Sequence, residues 1–382
     1  MTLPASRRRI YDVAIIGGGP AGCVAALQLA RDGADVLVLE RRTSYERRLG
    51  ETLPAACTQI LQELGVWDGF MATEPVPVWL NASAWGASEL SFDDFMFSGA
   101  GPGWHIDRGR FEAMLSAAAR RAGATILPGC SVRAVEPDAR GHLLQFVQEA
   151  NLQNVLTRFF IDASGRGRHA WQRHTGRRQF DQLIGVGIVA QVLVLGNAVS
   201  YTLIEAIPNG WFYSAQVSAT EIIACYMTDT DLYAHARARG CDEFRARLAE
   251  APHTRSRLVA ASAVFGPWCA AAGSSFRHIA AGPSWMAIGD AAISCDPLSA
   301  SGLITALKSG IHAAGIFTQG GTASWKQGLE PWSNYLNHTF RSYLAMRNHY
   351  YNLEQRFPYS TFWKRRQGPG GETLPPENPG AA

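Results

Sequence analysis

Residues 11–40 constrain the fold more than any other stretch, because they read as a strand, a glycine turn, a helix and a second strand. The short β-branched run at residues 13–16 is typical of a buried parallel strand. The apolar spacing that follows predicts a helix over Pro20–Arg31 and a second strand over residues 35–39. Such a unit predicts an α/β fold built on a parallel sheet.

Three glycines, Gly17, Gly19 and Gly22, stand between the first strand and the helix at G-x-G-x-x-G spacing. The first suits a tight turn, the second lets the backbone approach a pyrophosphate, and the third lets the helix pack on the sheet. The helix N-terminus also favours phosphate, and Glu40, at the end of the second strand, suits ribose hydroxyls. Together these features predict an adenine dinucleotide, the alternative being a glycine-rich turn that binds nothing. The predicted contacts are Gly17, Gly19, Pro20, Ala21, Gly22 and Glu40.

Composition and charge exclude several classes of protein. The chain has 382 residues, enough for two or three domains, and its net charge of +3 is too small to indicate nucleic acid as the main partner. Seven scattered cysteines without C-x-x-C spacing indicate reduced cytosolic thiols rather than a disulfide framework or a zinc site, and no metal site is predicted. The basic run at residues 7–9 precedes a strand that carries Asp12, so it is not an export signal. No apolar run reaches ~18 residues, so we expect a cytoplasmic protein without a membrane span.

Later segments indicate a second, interleaved domain. Aromatic-rich residues 75–103 predict a pair of strands, and residues 183–227 predict long strands of a broad antiparallel sheet. Further strands are predicted at 125–135, 142–148, 152–161 and 284–288, and helices at 110–122, 231–239, 242–248, 301–317 and 325–355. The expected division is a nucleotide-binding domain at 1–75, 101–180 and 270–320, a substrate-binding sheet domain at 76–100 and 181–269, a helical segment at 321–366 and a disordered tail at 367–382.

Three separated motifs carry a resemblance to a known family. The sequence GGGPAG at residues 17–22 with Glu40 is followed by Asp-Ala-Ser-Gly at 162–165 and by Gly-Asp at 289–290, which continues as AAISCDPLSASG. In this order they resemble the adenosine site, the D-G motif and the G-D motif of the class A flavoprotein monooxygenases. The resemblance covers most of residues 10–320. It implies the glutathione-reductase-type FAD-binding fold, a ββα Rossmann-like α/β domain interleaved with an antiparallel substrate sheet and followed by a helical C-terminal segment.

The resemblance also implies which residues contact FAD. The aspartate of the G-D motif would hold the flavin ribitol, Arg108 would lie by the phosphates, and Pro297 would shape one wall of the flavin ring. Taken alone, Asp162 could cap a turn, Asp290 could cap a helix, and Arg108 could be a solvated cation. The contacts added by the resemblance are Arg41, Glu51, Thr52, Arg108, Asp162, Gly289, Asp290, Pro297, Gly302 and Leu303.

Within this family, GETLP at residues 50–54 and WHIDR at 104–108 resemble the flavin-dependent halogenases and their hydroxylating relatives. Two departures argue against halogenation. The halogenase mechanism needs a lysine early in the chain, yet the first lysine is Lys308, and the G-W-x-W-x-I-P signature fails at 210–216. The chain is more similar to the flavoproteins that hydroxylate tryptophan in tryptophylquinone biogenesis. That similarity comes from W-G-x-S-E-L at 85–90 and from paired aromatic and arginine residues between 350 and 366.

The resemblance implies that reduced flavin reacts with dioxygen at C4a, and that the resulting hydroperoxide hydroxylates an electron-rich ring. Candidates for an aromatic slot are Trp79, Trp85, Trp211 and Tyr213, with ordinary sheet core as the alternative, and Trp211 and Tyr213 are also catalytic candidates. His105 and Glu205 are candidates for a base. Electrons would come from NAD(P)H directly or from a partner flavin reductase, because no second G-x-G-x-x-G decides the matter.

Four functions are compatible with these motifs. The leading one is an FAD-dependent monooxygenase that hydroxylates a tryptophan of a protein or peptide. A hydroxylase of small phenols or indoles shares the same chemistry. A flavin-dependent reductase of isoprenoid double bonds would share the FAD fold and the DPLSASG turn. A binding protein that carries FAD, like the escorts of prenylated GTPases, is the non-enzymatic alternative.

Overall fold

The computed structural model of the chain describes residues 9–45, 50–94, 101–167, 169, 175–192, 200–234, 241–318 and 321–367. In chain order, its strands are β1 (Ile10–Ile16), β2 (Val36–Leu39), β3 (Thr52–Leu53), β4 (Val76–Val78), β5 (Leu80–Ala84), β6 (Ser91–Asp94), β7 (Gly103–His105), β8 (Thr125–Leu127), β9 (Ser131–Asp138), β10 (Gly141–Gln148), β11 (Asn151–Asp162), β12 (Arg177–Gln179), β13 (Leu183–Val192), β14 (Tyr201–Ile207), β15 (Gly210–Ser218), β16 (Glu221–Asp229), β17 (Ala261–Ala271), β18 (Ser275–Arg277), β19 (Ala281–Gly282), β20 (Trp285–Ala287) and β21 (Ile293–Ser294). Its helices are α1 (Pro20–Arg31), α2 (Cys57–Glu63), α3 (Trp67–Met71), α4 (Arg108–Arg121), α5 (Thr230–Ala234), α6 (Cys241–Ala249), α7 (Pro252–Leu258), α8 (Gly302–Thr318), α9 (Gly321–Leu353) and α10 (Thr361–Lys364).

The first sheet is organised around β1, which lies between β2 and β11 and runs parallel to both. Strand β8 extends the sheet beside β2, and β20 extends it beside β11, again in parallel. Val13 and Ile15 point into one hydrophobic core with α1 and α8, whereas Ala14 and Ile16 point into another core beneath the sheet. Because both faces of the sheet are covered here, each of the residues 13–16 is apolar, and the sequence therefore shows a continuous apolar run.

A meander of β9, β10 and β11 joins this sheet in antiparallel pairing. The predicted strand at residues 125–135 is wrong as a single element, because it divides into β8 of the parallel sheet and β9 of the meander. The break falls at Pro128 and Gly129. Pro128 has no N–H to donate to a ladder, and Gly129 has a positive φ of 73°.

The second sheet has the strand order β17-β13-β16-β15-β14-β5-β6 and is antiparallel apart from the pairing of β14 with β5. It confirms the broad antiparallel sheet, although residues 193–199 of the predicted strands lie outside the described residues. Strand β17 was not predicted; it contains Gly266 and Pro267, which are residue types that are rare in the interior of strands. In the structure they lie at a register shift on an edge strand, where proline does not interrupt a central ladder.

Two further predicted segments differ in detail. Of the aromatic-rich stretch, β5 and β6 join the second sheet, but β4 pairs with β7 in a small sheet that also contains β3, and residues 95–100 lie outside the described part. Helix α4 begins at Arg108, two residues earlier than predicted, because the Asp107 carboxylate caps it by accepting from the Arg110 N–H at 3.0 Å. Parts of two other predictions, the helix at 231–239 beyond residue 234 and the tail beyond residue 367, also lie outside the described residues.

The C-terminal segment packs against both sheets. Phe340 and Tyr343 of α9 belong to the core of the first sheet, together with Phe276. Further along, Tyr351 and Trp363 belong to the core of the second sheet. This segment therefore fixes one sheet relative to the other. Within the described part of the chain, none of the helices has both the length and the apolar character needed to span a bilayer.

Candidate active site

A cavity of about 1340 Å³ lies between the glycine turn of the first sheet, the face of the second sheet and helix α9. Pockets for drug-sized ligands occupy roughly 300–1,000 Å³, so this cavity has room for a large cofactor and a second molecule. Most of the predicted cofactor contacts line it: Gly17, Gly19, Pro20, Ala21, Glu40, Arg41, Glu51, Thr52, Arg108, Asp290, Pro297, Gly302 and Leu303.

The glycine turn has the geometry that a bound dinucleotide requires. Gly17 has a φ of +107°, and a Cβ on it would lie 2.4 Å from the Ala163 carbonyl oxygen. A Cβ on Gly22 would lie 2.0 Å from the Gly17 oxygen, whereas a Cβ on Gly19 would meet no protein atom within 4 Å. The first and third glycines are therefore needed for close packing, and the second leaves the backbone open to the cavity. Gly19 is also the N-cap of α1 and makes no side-chain cap, so a phosphate can take that position.

Glu40 and the arginines beside it form the charged end of the cavity. The Glu40 carboxylate accepts from the Gly18 N–H at 2.6 Å and from the Arg42 Nε at 2.9 Å. Burial alone would raise the pKa of Glu40, but the hydrogen bonds from Arg42 and Gly18 outweigh it and lower this pKa. Glu112 accepts from Arg42 at 2.7 Å and from Arg108 at 2.8 Å. Together with the exposed Arg41, the Arg42 and Arg108 guanidinium groups give this end of the cavity three positive charges. The two carboxylates, Glu40 and Glu112, leave an excess positive charge that suits a pyrophosphate.

Asp162 organises the second motif from behind the cavity wall. Its Oδ1 accepts from the Ser164 N–H at 3.1 Å and the Ser164 hydroxyl at 2.6 Å, and its Oδ2 accepts from the buried Arg277 at 2.9 Å. Residues 163–165 line the cavity, but Asp162 does not. The structure therefore gives Asp162 the role of fixing this turn. Gly22 and Gly289 also lie outside the lining, where they permit close packing around Ala21 and Gly17.

The third motif reaches the cavity directly. The Asp290 carboxylate accepts from Arg166 Nε at 2.9 Å, and the same guanidinium donates to the Cys295 carbonyl at 2.7 Å. A short 3₁₀ turn at Pro297–Ser299 follows, capped by Asp296, which accepts from the Leu298 N–H at 2.8 Å. Gly302 then begins α8. This arrangement presents Asp290 and Pro297 on one wall of the cavity.

The opposite wall comes from the second sheet and is largely aromatic. Of the predicted aromatic residues, Trp85, Trp211 and Tyr213 line the cavity and Trp79 does not. The indole N–H of Trp211 donates to the Tyr351 hydroxyl at 3.0 Å. Further lining residues, none of them among the predicted site residues, are Thr202, Ile204, Met227, Trp268, Met346, Tyr350 and Leu353. Met346 and Leu353 had no sequence signal beyond their helical spacing, which does not say what they face, whereas Tyr350 belongs to the C-terminal aromatic motif of the resemblance.

Glu51 and Tyr213 connect the two walls. The Tyr213 hydroxyl donates to Glu51 Oε2, and both residues line the cavity. Burial raises the pKa of the Glu51 carboxyl. Burial and the neighbouring Glu51 carboxylate raise the pKa of the Tyr213 phenol well above its ordinary value. This pair is the buried acid–phenol contact of the site.

The structure does not bring His105 or Glu205 to the cavity. The His105 ring is fully buried between the Gln216 carbonyl at 2.9 Å and the Thr202 hydroxyl at 2.8 Å. Glu205 accepts from the Thr254 N–H and hydroxyl, both at 2.7 Å, at the start of α7. Both side chains have their polar atoms hydrogen-bonded to protein groups, so they hold the sheet together and do not line the cavity.

One end of the cavity is a dinucleotide cradle, formed by Gly17, Gly19 and Glu40, and the other is an aromatic chamber, formed by Trp85, Trp211 and Tyr213. Together they define the class of protein, a flavin-dependent oxidoreductase of the glutathione-reductase-type fold. Residues 10–315 match the family described as FAD binding domain, and the chain belongs to that family.

The chain is also similar to individual flavin-dependent proteins over most of its length. A protein named FAD-dependent oxidoreductase LodB, from Marinomonas mediterranea, is 29% identical over 363 residues, which cover 93% of this chain and 96% of LodB. The 1H-pyrrole-2-carbonyl peptidyl-carrier-protein chlorinase of Pseudomonas fluorescens is 27% identical over 80% of this chain and 75% of its own. Among solved structures, the flavin-dependent halogenase CmlS matches with a TM-score of 0.84 at 25% identity, over 94% of this chain and 68% of CmlS. The peptidyl tryptophan dihydroxylase QhpG matches with a TM-score of 0.69 at 20% identity, over 94% of this chain and 79% of QhpG, and so shows the shared fold.

Proposed function

We propose that this protein is an FAD-dependent monooxygenase that hydroxylates an electron-rich aromatic ring, namely a tryptophan side chain within a polypeptide. The observation that carries the proposal is the single cavity that contains both the dinucleotide cradle and the aromatic wall of Trp85, Trp211 and Tyr213. The fold shared with QhpG, which is named as a peptidyl tryptophan dihydroxylase, supports the same chemistry.

When bound, reduced FAD would supply the activation of dioxygen, with electrons from NAD(P)H or from a partner flavin reductase. The chain's own residues would bind, orient and shield. Gly19 and the α1 N-terminus would hold the pyrophosphate, Glu40 a ribose, and Asp290 the ribitol. The aromatic wall would hold the substrate ring and exclude water. One oxygen atom of dioxygen would enter the ring and the other would leave as water.

The distribution of lysine argues against halogenation. In the resembling halogenases a lysine carries the oxidised halogen, but residues 1–307 of this chain contain none. Lys308 is exposed on α8, and no lysine is found among the described residues that line the cavity. The similarity to the chlorinase and to CmlS therefore supports the shared flavin fold, and the missing lysine favours hydroxylation.

The rim of the cavity favours a polypeptide over a small aromatic molecule. Met346, Tyr350 and Leu353 lie on one face of α9, line the cavity, and are 46%, 43% and 49% exposed. Apolar side chains that are half in the cavity and half in solvent are suited to a substrate that extends beyond the cavity. A small phenol or indole would leave this rim uncovered.

The experiment is a single-turnover assay on the holoprotein. FAD is reduced chemically without oxygen, then mixed with isotopically labelled dioxygen and a peptide that contains one tryptophan. Mass spectrometry should find one labelled oxygen atom on the tryptophan, and a matched peptide with phenylalanine in its place should remain unmodified. Formation of hydrogen peroxide alone, with tryptophan peptides, indole and phenol all unmodified, would refute the proposal. Bromide in the buffer should yield no brominated product.

The same preparation tests the alternatives. Free indole or phenol as the better substrate would favour the small-molecule hydroxylase. Turnover of a polyprenyl compound without oxygen would favour the isoprenoid reductase, with which this chain shares the DPLSASG turn at residues 296–302.

A further inference from the structure

The contact between Glu51 and Tyr213 places a buried carboxyl group in an otherwise largely apolar chamber. Glu51 lies just before β3, on the cofactor side, and Tyr213 lies on β15 of the second sheet. The side chain of Glu51 is 1% exposed although the residue lines the cavity. Its Oε2 accepts from the Tyr213 hydroxyl, and within the described part of the chain its Oε1 has no hydrogen-bond partner.

An unpaired buried acceptor is costly, by about 1–3 kcal/mol for a polar group and more for a charged one. Few other groups act on the pair: the Gly50 and Glu51 backbone N–H groups and the Arg108 cation act on the Glu51 carboxyl group, and Cys225 lies near Tyr213. A ligand that donates one hydrogen bond would satisfy the free oxygen. A carboxylate or phosphate ligand would instead be repelled by Glu51 once it is ionised.

We propose that Glu51, oriented by Tyr213, accepts a hydrogen bond from the N–H of the substrate indole and is not the direct FAD contact that the resemblance implies. This inference deepens the proposed function and rests on it for the choice of an indole. An indole has one N–H donor and no comparable acceptor, so its hydrogen-bonding capacity matches the one free acceptor. Its ring would lie beside Trp211 and Met227, which line the same chamber. Glu51 is then a specificity residue and Tyr213 a positioning residue.

The test compares two probes that differ only at the indole nitrogen: N-acetyltryptophanamide and its 1-methylindole analogue. Binding to the oxidised holoprotein is followed by the change in the visible absorbance of FAD. We expect the N–H probe to bind at least about 10-fold more tightly, which corresponds to about 1.4 kcal/mol for one hydrogen bond to a charged group. In Glu51→Gln, whose amide presents a donor as well as an acceptor, the ratio should fall to within about twofold of unity.

Tyr213→Phe is the matched control, because it removes the phenol but leaves the carboxylate. It should keep a preference of at least about threefold for the N–H probe, and both variants should retain bound FAD. Equal affinities of the wild-type protein for the two probes, or no binding of either up to its solubility limit, would overturn the assignment. So would loss of FAD from Glu51→Gln, because Glu51 would then be a ligand of the flavin.

These outcomes are separable from those of the proposed function, because no turnover is required. If the affinity ratio of the two probes depends on Glu51 but no hydroxylated product forms, the indole subsite is supported and the proposed monooxygenase activity is refuted. If a tryptophan peptide is hydroxylated but the two probes bind equally well, the monooxygenase activity is supported and the indole subsite is refuted.

Discussion

The burial of His105 predicts a pH dependence of stability that its substitution should remove. The ring lies in the wall between β7 and the second sheet, with Gln216 and Thr202 as partners. The Gln216 carbonyl requires a donor on Nδ1, and a neutral ring can then accept from the Thr202 hydroxyl at Nε2. Burial, together with the Arg257 cation, lowers the pKa of His105 from 6.5 to about 3. The ring is therefore neutral in the folded protein across the physiological range.

The size of the stability loss between pH 7 and pH 5 follows from proton linkage. In the unfolded chain the imidazole gains a proton as the pH falls below 6.5, but in the folded protein it stays neutral down to about 3. The unfolded state is thus favoured increasingly as the pH drops through this window, and stability is lost. At pH 5 the gap from 6.5 is about 1.5 pH units, and at about 1.36 kcal/mol per unit the loss relative to pH 7 is about 2 kcal/mol.

The assay is urea unfolding of the holoprotein at pH 7 and pH 5 with FAD in fixed excess. His105→Gln should be less stable than wild type at pH 7 by about 1–3 kcal/mol, because the amide replaces the two ring contacts imperfectly. Between pH 7 and pH 5 it should lose about 2 kcal/mol less than wild type does. His278→Gln, which changes an exposed histidine, is the control and should follow the wild-type pH dependence. Equal losses in His105→Gln and wild type would refute the reasoning, and loss of hydroxylation without loss of stability would return His105 to the list of catalytic candidates.

Three further substitutions test the cradle and its supports. Gly19→Ala adds a methyl group that meets no protein atom within 4 Å, so the apo-protein should lose no more than about 1 kcal/mol while FAD affinity, measured by fluorescence titration, falls at least about 10-fold. Asp162→Asn leaves the buried Arg277 cation without its counter-ion, and urea unfolding should show a loss of about 3–5 kcal/mol. Tyr351→Phe removes the hydroxyl that donates to the buried Asp296 at 2.7 Å, which should cost about 1–3 kcal/mol and shift the visible spectrum of bound FAD; an unchanged spectrum would contradict contact between this turn and the flavin.

The cofactor half of the site was predictable because its determinants are local. The φ of Gly17, the open face of Gly19 and the position of Glu40 at the end of β2 all lie within one strand–helix–strand unit. Such a unit has few alternative geometries, so spacing alone predicts which of its residues line the cavity. Asp290 was identified by the resemblance of Gly289-Asp290 to the G-D motif, because its position shortly after β20 fits a helix cap equally well.

The substrate half was not predictable in the same way, because its walls depend on pairings between distant strands. His105 and Glu205 are the residue types of a catalytic base, but the register of β7 and β14 turns them toward the Gln216 carbonyl and the α7 backbone. Shifting a strand by one residue would reverse which side chains face the cavity. Trp268 was missed for a related reason, because it lies on β17, which the sequence analysis did not identify as a strand.

The two motifs behind the similarity to the tryptophan-hydroxylating flavoproteins, at residues 85–90 and 350–366, contact each other in the structure. The indole N–H of Trp85 donates to the Tyr350 carbonyl at 2.7 Å, and the Gly86 N–H donates to Glu354 Oε2 at 2.8 Å. Residues 85–90 and the C-terminal aromatic segment therefore form one structural unit instead of two independent signals. This unit fixes α9 across the cavity, so that Tyr350 becomes part of both the rim and the wall. A protein that shares both motifs is expected to share this arrangement of the aromatic wall, which, together with the proposed acceptor Glu51, would select the substrate ring.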